Sequence, residues 1–226
     1  MGTLCFAHPN DKKVLLVIGY ADDAHITSVS RLVSHPHFNG IGMVSEASVN
    51  QLLTQLKFTK NEFGQMVNKD LGTEFTILNA NVTCPNEVTG KTNIRISACY
   101  QQIRRSNEIR NYLNLNLKKF DSLIYVGHSR NGLGMGIGPF TPEFTYQIKI
   151  FNEVEKGQLK RILFSSCESN KYYGKYFSNI GIEFIGTGNS IQWPSESMPM
   201  VLAEIINIIN KSNYLAKNRS IMIQKK

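Results

Sequence analysis

Apolar residues fall into two rhythms along this chain. Short stretches rich in apolar residues, Lys13–Gly19 (KVLLVIG), Phe75–Leu78, Ser122–Gly127 (SLIYVG), Arg161–Ser166 (RILFSS) and Ile182–Ile185, predict strands, with Lys13–Gly19 and Arg161–Ser166 read as buried. Gly40–Val44 is a further short strand candidate. Between these runs the apolar spacing changes to three and four. Asp23 is a plausible cap for Ile26, Val29, Leu32 and Val33, and Ser45 for Val49, Leu52, Leu53 and Leu56. Ile103, Ile109, Leu113 and Leu117 predict a third helix, which ends on Lys118-Lys119 as the helix dipole favours. Asn170–Ser178, with Tyr172, Tyr173, Tyr176 and Phe177, and Ser197–Ile209, with Met198, Val201, Leu202, Ile205 and Ile209, complete the set. Strands alternating with helices predict an α/β fold in which helices cover both faces of a mostly parallel central sheet. The glycine-rich stretch from Asn131 to Pro142 has no helical period and reads as a mobile loop on the substrate side.

Length and composition agree with one domain over residues 1–226. The 226 residues include 42% hydrophobic and 19% charged, ordinary for a globular chain and unlike a disordered or fibrous one. Val14–Ile18, the longest apolar run near the start, is far below the roughly 20 residues of a membrane-spanning helix. Asp11-Lys12-Lys13 before it and Asp22-Asp23 after it do not fit a signal peptide. A cytoplasmic protein with no membrane partner is therefore expected. The net charge of +8 is spread out. Its densest part is a basic tail over 211–226 with Lys217, Arg219, Lys225 and Lys226, and a solvated surface is the favoured reading over nucleic-acid binding.

Four cysteines, with no Cys-x-x-Cys pair, do not suggest a disulfide scaffold or structural zinc. His25, His35 and His37 cluster only in sequence, and no metal or other cofactor is expected. Two strands do end in reactive residues: SLIYVG runs into His128 and RILFSS into Cys167. In a parallel sheet, ligands gather beyond the carboxyl ends of the strands. An isolated cysteine at a strand end is usually a small buried hydrophobe. An imidazole and a thiol at two such ends instead make a nucleophile and its acid/base partner, because a thiol of ordinary pKa is only a few per cent ionised at pH 7.

The segments FDSLIYVGHSRNG and LKRILFSSCES resemble the two hallmark blocks of caspase-like cysteine peptidases, the group of caspases, separases, gingipains, clostripain-like and CHAT-domain proteins. IEFIGTGNSIQWPSESMPMVLAEII is similar to the strand, loop and helix that follow, so the resemblance covers about residues 120 to 210. It implies a three-layer caspase-like sandwich and a cysteine endopeptidase with His128 and Cys167 as catalytic dyad, acting on a protein or peptide substrate. It further implies that the Ser129 and Cys167 amides stabilise the oxyanion, and that Ser165, Gly188 and Trp193 shape the pocket for the residue before the scissile bond. Ser129 stands where the family usually has glycine, and Ser165-Ser166 where alanine commonly precedes the cysteine. Arg130, Asp121, Asp23 and Glu196 are all open as the charge that sets a preference for an acidic or basic residue.

Two other enzyme readings fare worse. Gly127-His128-Ser129-Arg130-Asn131 resembles the nucleophile elbow of α/β-hydrolases, but that elbow must enter a helix, and Gly132, Gly134, Gly136 and Gly138 oppose one. The same glycines lack the Gly-Lys-Ser/Thr ending of a phosphate loop. The remaining alternative is a catalytically inactive caspase-like binding or scaffold module with an anionic partner.

Overall fold

The computed structural model describes residues 12–20, 46–82, 93–138, 144–148, 151, 158–189 and 197–223. The elements in chain order are β1 (Lys12–Ile18), α1 (Glu46–Gln55), β2 (Thr59–Lys60), β3 (Met66–Asn68), β4 (Thr73–Asn79), α2 (Asn93–Asn116), β5 (Ser122–Val126), β6 (Gly134–Gly136), β7 (Thr145–Gln147), β8 (Arg161–Ser165), α3 (Ser169–Asn179), β9 (Glu183–Gly186) and α4 (Ser197–Ile223). Seven strands form one sheet in the order β2-β3-β4-β1-β5-β8-β9. The five from β4 to β9 are parallel, and the β2–β3 hairpin extends the sheet antiparallel beside β4.

The core lies in two layers. Val14 to Ile18 of β1, between β4 and β5, have no exposed surface, so successive side chains feed opposite faces. On one face Leu15, Val17, Leu123, Tyr125, Ile162 and Phe164 pack under α2 and α3. On the other, Val14, Leu16, Ile18, Ile124 and Leu163 pack under α1 and α4. This is the expected α/β architecture with a mostly parallel sheet covered on both sides. Among the described residues, no helix is long and apolar enough to cross a membrane.

The structure corrects several details. The expected mobile loop at Asn131–Pro142 is, over its described part, a short 3-10 turn at Arg130–Gly132 followed by β6, which pairs antiparallel with β7. Its glycines answer to close packing: a Cβ at Gly134 would stand 2.0 Å from the Tyr146 carbonyl oxygen, at a φ of +148°. Ile103 belongs to α2 but faces solvent with 42% exposure. The last helix runs well past Ile209, to Ile223, and so takes in most of the expected basic tail. The β2–β3 hairpin has no counterpart in the predicted elements. The predicted helix from Asp23 and the strand at Gly40–Val44 lie outside the described residues, as do Cys5, Cys84, His25, His35 and His37.

At the amino-terminal rim of the parallel strands, Arg161 of β8 ties α4 to the sheet. Its guanidinium makes a two-pronged pair with Glu204 of α4, one arm at 2.9 Å, and also reaches Glu183 of β9. The Arg161 and Glu204 side chains are 12% and 5% exposed, whereas Glu183 is 60% exposed. The Glu204 carboxylate, then Glu183, holds the Arg161 pKa above its ordinary value despite the opposing effect of burial. Glu204→Ala would leave the largely buried Arg161 cation with only the exposed Glu183 beside it, so urea denaturation is expected to show a loss of at most about 3–5 kcal/mol. Glu183→Ala, at an exposed pair, is expected to cost less than about 1 kcal/mol in the same measurement.

Candidate active site

β5 and β8 are neighbours, paired parallel from Ser122↔Arg161 to Val126↔Ser165. The ladder continues one step further, the Gly127 N–H donating to the Ser165 carbonyl at 3.2 Å. His128 and Cys167 each stand two residues beyond the last pair, so the two chains that carry them leave the sheet at the same rim. Both are partly exposed. Each also has interactions with neighbouring groups.

The chain around His128 is fixed from below. The Tyr125 hydroxyl donates to the His128 carbonyl at 2.8 Å and accepts from the Gly136 N–H at 2.8 Å. Its ring folds beneath Gly127, where a Cβ would lie 2.4 Å from the hydroxyl oxygen, so only glycine suits that position. Tyr173 of α3, wholly buried, donates to the Ser129 carbonyl and to the Gly134 carbonyl at 3.1 Å. Burial pushes the Tyr173 hydroxyl pKa up and keeps it a donor. Ser129 is 6% exposed, and among the described residues no acceptor takes its backbone N–H.

Cys167 sits in a tight strand-to-helix turn. Glu168 takes a left-handed conformation with φ of +49°, and α3 begins at Ser169. The loop after β9 is laced to this turn. Glu168 N–H donates to the Asn189 carbonyl at 3.0 Å, Asn170 N–H to the Thr187 carbonyl at 2.9 Å, and the Thr187 hydroxyl to the Ser166 carbonyl. The Ser169 hydroxyl, wholly buried, donates to the Phe164 carbonyl at 2.8 Å and accepts from the Thr187 N–H at 2.9 Å. Outside the turn, the Glu168 carboxylate meets the Lys171 ammonium at 3.3 Å and the Tyr172 hydroxyl at 3.1 Å, and those two partners, in that order, hold its pKa below the usual range.

The other expected pocket residues divide. Gly188 is exposed between Thr187 and Asn189, beside the cysteine turn. Ser165 has no exposed surface, and its hydroxyl lies 3.4 Å from the Ser197 carbonyl under α4, so its side chain faces the packed layer. Asp121 precedes β5, at the opposite rim from His128, where its carboxylate accepts from the Lys13 N–H at 3.0 Å. Arg130 is 4% exposed, its guanidinium donating to the Gly138 carbonyl. Trp193, Asp23 and Glu196 lie outside the described residues. Tyr125, Tyr173, Ser169 and Thr187 were not foreseen as parts of the site. The only local signal was a tyrosine two residues before a glycine in YVGHS.

A groove of about 440 Å³ lies along the start of β9 and α3, lined by Asn170, Gly174, Ser178, Ile182 and Glu183 among others. Neither His128 nor Cys167 lines it, and the rim defined by the strand ends is the better guide to the chemistry. Among the described residues no cluster of three or more His, Cys, Asp or Glu side chains is placed to hold a metal ion. Comparison with protein-family models, with curated proteins and with solved structures returns no match.

Ser169→Ala would leave the Phe164 carbonyl and the Thr187 N–H short of a buried partner. A loss of about 1–3 kcal/mol is expected in chemical denaturation. Lys171→Ala, whose side chain is exposed and touches only the outer face of the turn, is expected to be nearly neutral in the same measurement.

Proposed function

We propose that this protein is a caspase-like cysteine endopeptidase with a His128–Cys167 dyad. The observation that supports the reading is the register of β5 against β8, which sends the chain segments bearing His128 and Cys167, 39 residues apart in sequence, out of the sheet at the same carboxyl rim of neighbouring parallel strands. A structural cysteine has no need of that partner. The resemblance of FDSLIYVGHSRNG and LKRILFSSCES to the family's paired blocks agrees with it.

The reaction follows from the groups present. His128 takes the thiol proton of Cys167, and the thiolate adds to the carbonyl carbon of the scissile peptide while the π electron pair moves onto oxygen. The Ser129 N–H, which no described protein group accepts, and the Cys167 N–H are the donors assigned to that oxyanion. The tetrahedral intermediate collapses, the C–N bond breaks, and His128 gives the leaving amine its proton. Water then adds to the thioacyl carbon with His128 as base. The C–S bond breaks, releasing a carboxylic acid and restoring the thiol. Serine in place of glycine at position 129 leaves this scheme intact, because the donor is the backbone. The exposed loop at Gly188, bonded to the cysteine turn, is the segment assigned to substrate selection.

A peptide-library cleavage profile of the wild-type chain beside Cys167→Ala tests the reading. Cleavage is expected to vanish in the variant. His128→Ala is expected to lower turnover by about 10²-fold or more. Mass spectrometry after treatment with an electrophilic peptide should find the label on Cys167, at a rate that falls in His128→Ala. Cleavage that survives Cys167→Ala overturns the assignment. A chain that cleaves nothing and whose Cys167 reacts no faster than a free thiol points instead to the binding-module alternative.

A further inference from the structure

We infer that the buried Tyr125 is a positioning residue for the oxyanion site, acting through the peptide bond between His128 and Ser129. The inference rests on the peptidase reading above and adds a residue to it. The His128 carbonyl and the Ser129 N–H belong to one planar unit, and in a trans peptide they point in opposite directions. The carbonyl end is held inward: it accepts from the Tyr125 hydroxyl at 2.8 Å and lies 3.4 Å from the Gly136 N–H. The amide end is therefore turned away from the Tyr125–Gly136 side, and no described group accepts from it. Fixing one end of the plane fixes the aim of the other.

Tyr125 is suited to this task because it cannot move. Its side chain has no exposed surface, its ring packs edge-on against Phe164 with centroids 5.1 Å apart, and the Gly136 N–H donates into the same hydroxyl at 2.8 Å. That incoming bond commits the hydroxyl proton to the acceptors on the other side, of which the His128 carbonyl is the nearer, the Gly136 carbonyl standing at 3.4 Å. The absence of a side chain at Gly127 leaves the space the hydroxyl occupies. A donor aimed before substrate arrives needs no reorganisation as negative charge develops on oxygen. Tyr173 provides an internal comparison: it too donates from a buried hydroxyl, but to the Ser129 carbonyl, which belongs to the next peptide unit.

The test sets a reagent that forms an oxyanion against one that does not. A panel of acetyl-dipeptide aldehydes adds reversibly to the cysteine, converting a carbonyl into a tetrahedral adduct, while iodoacetamide alkylates sulfur by displacing iodide and places no charge on a carbonyl oxygen. Tyr125→Phe is expected to weaken the tightest aldehyde by about 10- to 100-fold, part of the 10²–10³ seen when an oxyanion donor is removed outright. It should lower kcat by a similar factor with KM little changed, and leave the iodoacetamide rate within about twofold. Tyr173→Phe, matched in the loss of one buried hydroxyl, is expected to shift aldehyde affinity far less. The aldehyde dissociation constant reports folded molecules alone, so a preparation of Tyr125→Phe that is partly unfolded remains readable. A wild-type adduct whose affinity Tyr125→Phe leaves unchanged, or Tyr173→Phe weakens equally, overturns the inference while sparing the dyad. Failure of the wild-type chain to bind any aldehyde at Cys167 overturns the peptidase reading and this inference with it.

Discussion

The pairing of β5 with β8 is the constraint on which the rest of the site depends. Five in-register residue pairs, from Ser122↔Arg161 to Val126↔Ser165, hold the two strands side by side, and the parallel direction sends both chains out of the sheet at the same rim. An antiparallel pairing would have put the two reactive residues at opposite ends. The β6–β7 segment separates these strands in sequence and adds a second small sheet on the α2–α3 face, where Met135, Ile137 and Tyr146 join the core. The shared rim is thus a consequence of packing at the centre of the molecule, where β1 and β5 are deeply buried.

The two reactive residues reach the rim by different means. The histidine end is held from within the protein, by hydroxyls of Tyr125 and Tyr173 that come up through the core layer. The cysteine end is held sideways, by backbone and hydroxyl bonds to the loop that leaves β9. Stability is anchored elsewhere. The Arg161–Glu204 pair closes the far rim, where it joins the helix layer to the sheet without touching the reactive turn.

Much of the fold was legible because the central strands are buried on both faces and appear as unbroken apolar runs, as in VLLVI and LIYV. β2 and β3 were not, because strands of two and three residues, the outer one with exposed Thr59 and Lys60, carry no such run. The glycine-rich segment was misread for a physical reason: glycine signals either freedom or crowding, and only the neighbouring Tyr146 backbone shows that crowding applies at Gly134. At the site, His128 and Cys167 stood out as the residues that end two apolar runs. The family resemblance implies a pocket role for Ser165, yet Ser165 follows Leu163 in the pleat and shares the face that Leu163 presents to α4. Tyr125 was hidden in plain view, since a tyrosine inside an apolar strand looks like core, and its hydroxyl partners lie three and eleven residues away.

β9 is the terminal strand of the described sheet, paired on one side to β8. The turn that carries Cys167 takes its lateral support from the loop that β9 continues into. A margin of four residues opens more readily than the centre of a sheet, and segments of a native protein come apart separately with their own free energies. Fraying at this margin would release the sulfur from its place while the Arg161–Glu204 clasp and both core layers stayed intact, so the setting of Cys167 would loosen on warming before the molecule as a whole melts.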